Sequence, residues 1–424
     1  MIIVPSGNVP PAPGIYPLMT KHAPAFALAV LLAGCSLSAK DAALATAKID
    51  TLPGGIIQVT NSGPTKWADT SGWRLVLERE IVPEEGSPGE IGNPRTVVAG
   101  EDGTIYLLQQ APTMIKVYGA DGQWLRNIGR EGNGPGEFRD GMFGIARDTL
   151  FVQDPNNARF TTFTTNGTFI TTKGSQCCWW TSRFPVFGDG TVGIIGQLPD
   201  TTKGSDGGGG AYYITRMDGS VIDTIRLKST PPDPNDNWVI TRKQGSSTSM
   251  MSMGIPLRPA RESAWLPDRH KVTGSTADYT LSVLTTKDDT VRRFSAPAPT
   301  VSITEAQRDS IFEAEVAGVG EQWEKSVREI AKPSQLPTTW PKWSGIAVDR
   351  ASRIWIARPG AKGAASVLDV FTSDGILLGS VPAPDPKILE GFWTSSRVYL
   401  KDENAEGLPR IRVFRIDTMG TAGR

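Results

Sequence analysis

The chain has 424 residues, with 44 basic and 44 acidic side chains and only two histidines. This length exceeds what one ordinary hydrophobic core supports, so we expect two domains or a repeat architecture that grows by adding units. The balanced charge argues against a basic, nucleic-acid-binding surface. The shortage of histidine excludes sites built from several imidazoles, such as the commoner zinc sites of enzymes.

An export signal is predicted at the N-terminus. An apolar run over residues 23–32 is long enough for a signal-peptide core and too short to cross a bilayer comfortably. It ends in Leu-Ala-Gly-Cys at residues 32–35, which resembles the lipobox of bacterial lipoproteins. The resemblance implies cleavage before Cys35 and attachment of a lipid to its thiol. Residues 1–34 are therefore predicted to be a signal peptide, and Met19 marks the start that a signal of normal form would have.

The segment after the cysteine is expected to link the lipid to the folded body. Residues 35–71 are predicted to be a lipid-anchored tether, with one short strand near residues 56–60. Ser36 is not acidic, and in lipoproteins of Gram-negative bacteria such a residue resembles the signal for the outer membrane. The expected location is therefore exported and membrane-anchored, at the outer membrane.

Residues 72–424 carry an internal repeat. A Pro-Gly-Glu segment ending at Glu90 returns at Glu137, and the Asp-Gly turn at Gly122 returns as Asn-Gly at Gly167. Asp-Gly and Asn-Gly supply the positive backbone dihedrals that two-residue hairpins need. A period of about 45 residues with four short strands in each unit is typical of a β-propeller.

Six blades of antiparallel strands are predicted, which makes the fold class all-β. Blade one is placed at residues 95–99, 104–108, 114–118 and 124–128, and blade two at residues 144–146, 150–153, 159–164 and 169–172. Blades three, four and five are placed within residues 184–227, 264–294 and 344–381. The last blade takes strands near residues 391–393, 397–400 and 410–416, and its fourth strand from residues 73–81. An N-terminal strand would thus close the ring and remove its open sheet edges.

Two segments of the repeat resemble a known type. Residues 150–160 and 128–138 are similar to NHL-type repeats, and this resemblance covers blades one and two, whereas the other blades rest on the turn pattern. As a whole the chain resembles the six-bladed β-propeller lipoproteins of bacteria. The resemblance implies a closed propeller and does not by itself imply an activity.

One helical insertion is expected between blades four and five. Residues 302–305 read Ser-Ile-Thr-Glu, which has the form of a capping box, and an apolar face continues towards Lys332 with a break near Gly318 and Gly320. The insertion would lie on the face that carries the long, varied loops. It could act there as a lid, or as a spacer packed on the rim.

The varied-loop face is the predicted binding surface, because its loops differ in length while the Asp-Gly turns of the opposite face are uniform. The candidate binding residues are Arg139, Asp140, Asp154, Asn156, Arg159, Trp179, Trp180, Trp340, Trp343 and Arg358. Three of them have a structural alternative, because in NHL-like repeats the positions of Asp154, Asn156 and Arg159 tie neighbouring strands together. The adjacent Cys177 and Cys178 could form a strained disulfide or remain buried thiols.

Two classes of function are compatible with these features. The favoured one is a non-enzymatic, lipid-anchored binding or scaffolding protein of the bacterial envelope, whose partner is an envelope protein, a peptide or a glycan. The alternative is an enzyme of the propeller lactonase or lyase type, with calcium held in the channel by Glu137, Asp140 and Asp154. No other cofactor is expected. No catalytic residue is assigned, since His270 between two cationic neighbours has the setting of a surface histidine.

Overall fold

The computed structural model describes residues 47–63, 65, 67, 72–175, 184–198, 209–228, 234–244, 247–360 and 366–418. These residues form seven β-sheets, six of which follow one another along the chain as the blades of a propeller. The predicted six-bladed β-propeller is therefore confirmed. The described part contains two α-helices, and neither is long and apolar enough to cross a membrane.

The first half of the described chain contributes three strands before blade one and then blades one to three. The strands before blade one are β1 (Ala47–Thr51), β2 (Ile57–Asn61) and β3 (Arg74–Ile81). Blade one contains β4 (Asn93–Ala99), β5 (Ile105–Gln110), β6 (Met114–Tyr118) and β7 (Trp124–Ile128). Blade two contains β8 (Met142–Ala146), β9 (Thr149–Asp154), β10 (Arg159–Thr164) and β11 (Phe169–Gly174). Blade three contains β12 (Val192–Gln197), β13 (Gly210–Thr215) and β14 (Val221–Arg226).

The second half adds a hairpin, two blades, two helices and the closing blade. The hairpin is β15 (Asn237–Gln244) and β16 (Ser247–Gly254). Blade four contains β17 (Arg261–Trp265), β18 (Lys271–Ser275), β19 (Thr280–Leu284) and β20 (Thr290–Ser295). The helices are α1 (Glu305–Gly318) and α2 (Glu321–Ile330). Blade five contains β21 (Gly345–Val348), β22 (Ile354–Arg358), β23 (Val367–Phe371) and β24 (Leu377–Pro382). Blade six contains β25 (Phe392–Trp393), β26 (Arg397–Glu403), β27 (Pro409–Asp417) and the N-terminal β3.

The ring is closed by a strand from the other end of the chain. β3 pairs antiparallel with β27, from Ile81 opposite Ile411 to Arg74 opposite Asp417. The first strands of neighbouring blades contact each other, as β4 does with β8 and β17 with β21. The first strand of each blade therefore lies nearest the axis and the fourth lies at the rim. The predicted closure by the strand near residues 73–81 is confirmed.

The two faces of the disc differ because of local turn chemistry. On one face, here called the turn face, Gly122 and Gly167 have φ values of +84° and +95°, a region that glycine enters without strain. The Asp121 carboxylate accepts the N–H of Gln123 at 3.0 Å and so holds its turn closed. The varied-loop face carries the connections between blades and the loops between the second and third strands of each blade. This follows because the second and fourth strands of an antiparallel blade end at this face.

The hydrophobic core lies in the layers between neighbouring blades. Between blades five and six the indole rings of Trp355 and Trp393 lie 4.7 Å apart, and both side chains are at most 5% exposed. Between blades one and two, Val98 and Leu108 pack with Phe143. Each layer needs both of its blades, so opening the ring at one place exposes apolar surface on two blades.

The segment predicted as a tether contributes structure that the sequence did not indicate. β2 pairs parallel with β20, the outer strand of blade four, and β1 pairs with β2. Val59 on β2 is 1% exposed, because it packs into the layer between blades four and five. A strand near residues 56–60 was expected, but its place in the blade-four sheet was not.

The insertions between blades three and four and between blades four and five form one small unit, here called the cap. Trp238 and Ile240 of the β15–β16 hairpin pack against Phe312 and Val316 of α1 and against Val327 of α2. The predicted helical insertion between blades four and five is thus confirmed. The hairpin partner was not predicted.

The start of the first helix differs from the predicted capping box. The N-cap is Thr304, whose hydroxyl accepts the Gln307 N–H while the Gln307 side chain accepts the Thr304 N–H. Ser302 instead forms an isolated bridge with Thr339 at the base of the insertion. The break was placed correctly, because Gly320 separates the helices with a φ of +80°.

Candidate binding site

A cavity of about 410 Å³, here called the channel pocket, lies between the first strands of blades one, two, three and six. Its apolar lining is formed by Val97, Val98, Phe143, Ile145, Phe184, Val186, Phe392 and Trp393. In blade three the innermost position is a single bridge between Val186 and Val192 rather than a full strand. The pocket therefore lies at the axis of the propeller, with a wall that four different blades supply.

The charged lining residues show which way the pocket opens. Arg95 lies near the start of β4, Glu390 just before β25, and Lys401 near the end of β26. Each of these residues lies at or next to the end of its strand that is nearest the varied-loop face. Lys401 and Glu390 are exposed, and neither side chain has a hydrogen bond or ion pair with another described residue. The mouth of the pocket thus offers charged groups to solvent.

An arginine lies across the other end of the channel. Arg350 is carried by a turn of blade five, and its guanidinium donates to the carbonyl of Ile145 in blade two at 3.4 Å. These blades are three positions apart in a ring of six, so the side chain reaches across the axis. The guanidinium also lies 5.2 Å from the ring centroid of Phe392 and 3.7 Å from the Glu101 carboxylate. Burial lowers the pKa of Arg350, and the Glu101 charge opposes that effect.

Trp393 is also a lining residue, but it is 5% exposed and its indole ring packs beside Trp355 in the layer between blades five and six. Its indole N–H has no hydrogen-bond acceptor among the described residues. A buried donor without an acceptor costs about 1–3 kcal/mol.

Two of the residues predicted from the sequence lie near this mouth. Arg139 and Asp140 directly precede β8, and the Arg139 side chain is exposed. The Arg139 carbonyl accepts a hydrogen bond from Thr113 at 2.9 Å. The Asp140 carboxylate accepts the N–H of its neighbour Gly141 at 2.7 Å. Their backbones hold the loop between blades one and two, and the Arg139 guanidinium remains open to the varied-loop face.

Of three further predicted residues, Asp154 and Arg159 make the contacts of the structural alternative, whereas Asn156 does not. Asp154 is fully buried, and its carboxylate accepts the Arg139 N–H at 3.0 Å and two donors of Asn157. Arg159 donates to the carbonyls of Asn133 at 2.6 Å and Glu137 at 3.2 Å. These bonds tie the β9–β10 loop to the β7–β8 loop. Asn156 is exposed between them.

Trp343 and Arg358 lie between blades four and five and away from the channel pocket. Trp343 is fully buried, and its indole N–H donates to the carbonyls of Ser275 at 3.1 Å and Asp278 at 2.9 Å. Arg358 pairs with the buried Asp369 carboxylate at 2.7 Å. Trp340 is half-buried near the base of the cap. The structure therefore does not bring these three residues to one surface with Arg139 and Asp140.

Five other predicted residues lie outside the described residues. They are Cys35, Cys177, Cys178, Trp179 and Trp180. The lipid attachment, the disulfide alternative and the role of the paired tryptophans stay predictions.

The acidic residues considered for calcium support loops. Glu137 accepts the Gly134 N–H at 2.7 Å and pairs with Arg130, and the bond from Gly134 is the main cause of its lowered pKa. Asp154 is occupied by the three donors above. Within the described ranges, no group of three or more His, Cys, Asp or Glu residues is arranged to hold a metal ion.

A larger cavity of about 640 Å³, here called the rim groove, lies far from the axis. It runs between β3 and the β6–β7 turn, and its lining includes Arg79, Glu80, Glu84, Asp121 and Trp124. Four of its fourteen lining residues are charged, and its exposed surface is more polar than apolar. Ligand sites are usually concave, mostly apolar and contain few polar groups, which favours the channel pocket.

Comparison with known proteins places the fold in context. No family model and no curated protein matches the chain. Among solved structures, a Bacteroides fragilis protein described as exported has 12% identity and a TM-score of 0.44, over 85% of this chain and 100% of that one. Virginiamycin B lyase from Staphylococcus aureus has 12% identity and a TM-score of 0.37, over 80% of this chain and 99% of that one. Aldose sugar dehydrogenase from Streptomyces coelicolor has 12% identity and a TM-score of 0.37, over 82% and 99%. At these identities and TM-scores, the likenesses say nothing about what this chain binds.

Proposed function

We propose that this protein is an exported, lipid-anchored binding protein of the bacterial envelope that holds a ligand in the channel pocket. The pocket carries the proposal. Its volume of about 410 Å³ falls within the range of small-ligand sites. Its wall is mostly apolar and its mouth is charged.

Export and anchoring are supported by the sequence alone. The apolar run before Cys35 and the small residues that precede it match a lipoprotein signal. A lipid at that position would hold the propeller at a membrane surface. The ligand would then be a compound of the envelope, or the end of a peptide or glycan chain that fits a pocket closed at one end.

The proposal is tested by filling the pocket with a large side chain. Thr96 lines the pocket on β4, so Thr96→Trp should occupy its space, whereas Thr168→Trp places the same side chain on the exposed turn face. The probe is the neutral dye 1-aminoanthracene, whose fluorescence rises in apolar surroundings. We expect one saturable site in the wild type and in Thr168→Trp, and loss of that site in Thr96→Trp.

A second pair of variants guards against misfolding. Val186→Trp also fills the pocket, and Val221→Trp adds the same side chain to an exposed position on β14. Equal dye binding by a folded pocket-filling variant and its control would place the site elsewhere. Absence of saturable binding in the wild type would also contradict the proposal.

A further inference from the structure

The chemistry of the channel pocket indicates a class of ligand, and this inference rests on the proposed function. The inner wall is apolar, and the apolar lining residues that keep some exposed surface are Phe184, Val186 and Phe392. Its polar groups are few and its ionisable lining residues lie at the mouth. An occupant that fits must bury an apolar part in the pocket and keep any charged part at the mouth.

The far end of the pocket prevents the opposite orientation. The Arg350 guanidinium bonds to the Ile145 carbonyl and lies over the Phe392 ring, and both of these residues line the pocket. An apolar chain therefore cannot pass through to the turn face. Its charged end must remain on the varied-loop face, beside the side chains of the mouth.

The charges around the mouth favour an anion. Lys401 is exposed and has no ion-pair partner in the described ranges. Arg95 lines the same mouth, and Glu390 is the acidic residue of the lining. The lining itself therefore carries two cations and one carboxylate, whereas the exposed Arg139 and Arg261 outside it have the acidic neighbours Asp140 and Glu262.

The turn face carries repeated aspartates because of its turn chemistry. Asp102, Asp121 and Asp218 each accept the N–H two residues later, at 3.0, 3.0 and 2.8 Å. Asp189 and Asp268 do the same in blades three and four. The repeated turns therefore place carboxylates on the face away from the mouth, where arginines accompany some of them, as Arg269 does Asp189.

We propose that the natural ligand is an amphipathic anion, whose apolar chain or ring enters the channel pocket while its acidic group lies beside Lys401. Binding of this ligand involves no covalent step and no metal. A carboxylate, a sulfonate or a phosphate on the ligand could each form the ion pair with Lys401.

The test compares three ligands with the same eight-carbon chain, namely octanoate, octanol and octylamine, by isothermal titration calorimetry on the full-length protein. In the wild type we expect octanoate to bind about three- to fivefold more tightly than octanol, as befits a partly exposed ion pair. Octylamine should bind more weakly than octanol. High salt should reduce both differences.

Charge reversal at the mouth should reverse this order. Lys401→Glu should make octylamine the tightest of the three, and Lys401→Gln should make octanoate equal to octanol. The matched control Lys287→Glu reverses an exposed lysine on the turn face and should keep the wild-type order.

The outcomes separate this inference from the proposed function. If octanol and octanoate bind equally, and Thr96→Trp abolishes the binding of both, the pocket is a binding site but the preference for an anion is wrong. If Thr96→Trp leaves the binding of all three unchanged, the channel pocket is not the site and the proposed function fails with it. If Lys287→Glu and Lys401→Glu change the order of the three affinities in the same way, the inference is also wrong.

Discussion

Replacing Asn61 with alanine should destabilise the outer edges of blades four and five. The Asn61 side chain is 5% exposed and joins these two blades. Its amide donates to the carbonyls of Ser295 at 3.0 Å and Gly375 at 2.9 Å, and its oxygen accepts the Leu377 N–H at 2.9 Å. Alanine can make none of these bonds.

The magnitude follows from the groups left behind. The Gly375 carbonyl and the Leu377 N–H would lose their side-chain partner in a site that stays shielded from water. An unsatisfied buried polar group costs about 1–3 kcal/mol, so two of them predict a loss of about 2–6 kcal/mol in the free energy of unfolding. This is a large effect for one substitution.

Guanidinium unfolding and amide hydrogen exchange would measure the effect. The control is Asn93→Ala, because Asn93 is an exposed asparagine with one long contact to Gln110 at 3.4 Å. That control should change the free energy of unfolding by no more than about 0.5 kcal/mol. The Leu377 amide should also exchange faster in Asn61→Ala. Equal unfolding midpoints for the two variants would refute the role assigned to Asn61.

Three further outcomes are expected. A chain that starts after Ile81 lacks β3 and should lose cooperative unfolding. A chain that starts at Gly72 keeps β3 and should still melt cooperatively, at a lower temperature than the full chain because it lacks Val59 and Asn61. Cooperative unfolding of both truncated chains at the same temperature would contradict ring closure by β3. The hydrogen bond from Arg397 lowers the pKa of Glu78 below its usual 4.5. Its stabilisation is therefore present above that value and lost as the pH falls through the lowered pKa. Glu78→Gln should melt below the wild type at pH 7, and the gap should close in acid; a gap that persists at the lowest pH would argue against the ion pair. Cys35→Ser should abolish labelling by radioactive fatty acid and release the protein from membranes, and retention after a carbonate wash would contradict the lipid anchor.

The blades could be predicted because their determinants are local. In blades one and two, hairpin turns with glycine at positive φ separate short apolar strands, and the predicted strands agree with the observed ones to within two residues at each end. Closure of the ring could be predicted from the number of strands, because the last blade had only three and an unassigned strand preceded blade one. The helical insertion was visible from its apolar spacing and from the break near Gly320.

The N-terminal hairpin and the cap could not be predicted, because their stability comes from distant partners. β2 is five residues long and pairs with a strand more than two hundred positions later. Trp238 on β15 is buried by Phe312 of α1 and donates its indole N–H to Gln335 at 3.0 Å. No local pattern in either segment identifies its partner.

The channel pocket was missed for a related reason. Phe143, Phe184 and Phe392 come from three blades, and only the closed ring brings them together. Lys401 follows a buried stretch of β26, where a single exposed lysine looks like ordinary surface. The signal that could have found the pocket is positional, namely the bulky apolar residues near the start of each blade's first strand. The residues predicted instead, including Asp154 and Trp343, were chosen because they are charged or aromatic residues in predicted loops.

The most direct test of the binding site is the position of a photoreactive ligand. A neutral eight-carbon alcohol that carries a diazirine would be photolysed with the full-length protein, and the modified peptides would be identified by mass spectrometry. The alcohol carries no charge, so the result does not depend on the proposed preference for anions. We predict adducts on the peptides that contain Phe143, Phe184 or Phe392, and their loss in Thr96→Trp. Adducts confined to the rim groove, on the peptides that contain Glu84 or Trp124, would contradict a binding site in the channel pocket.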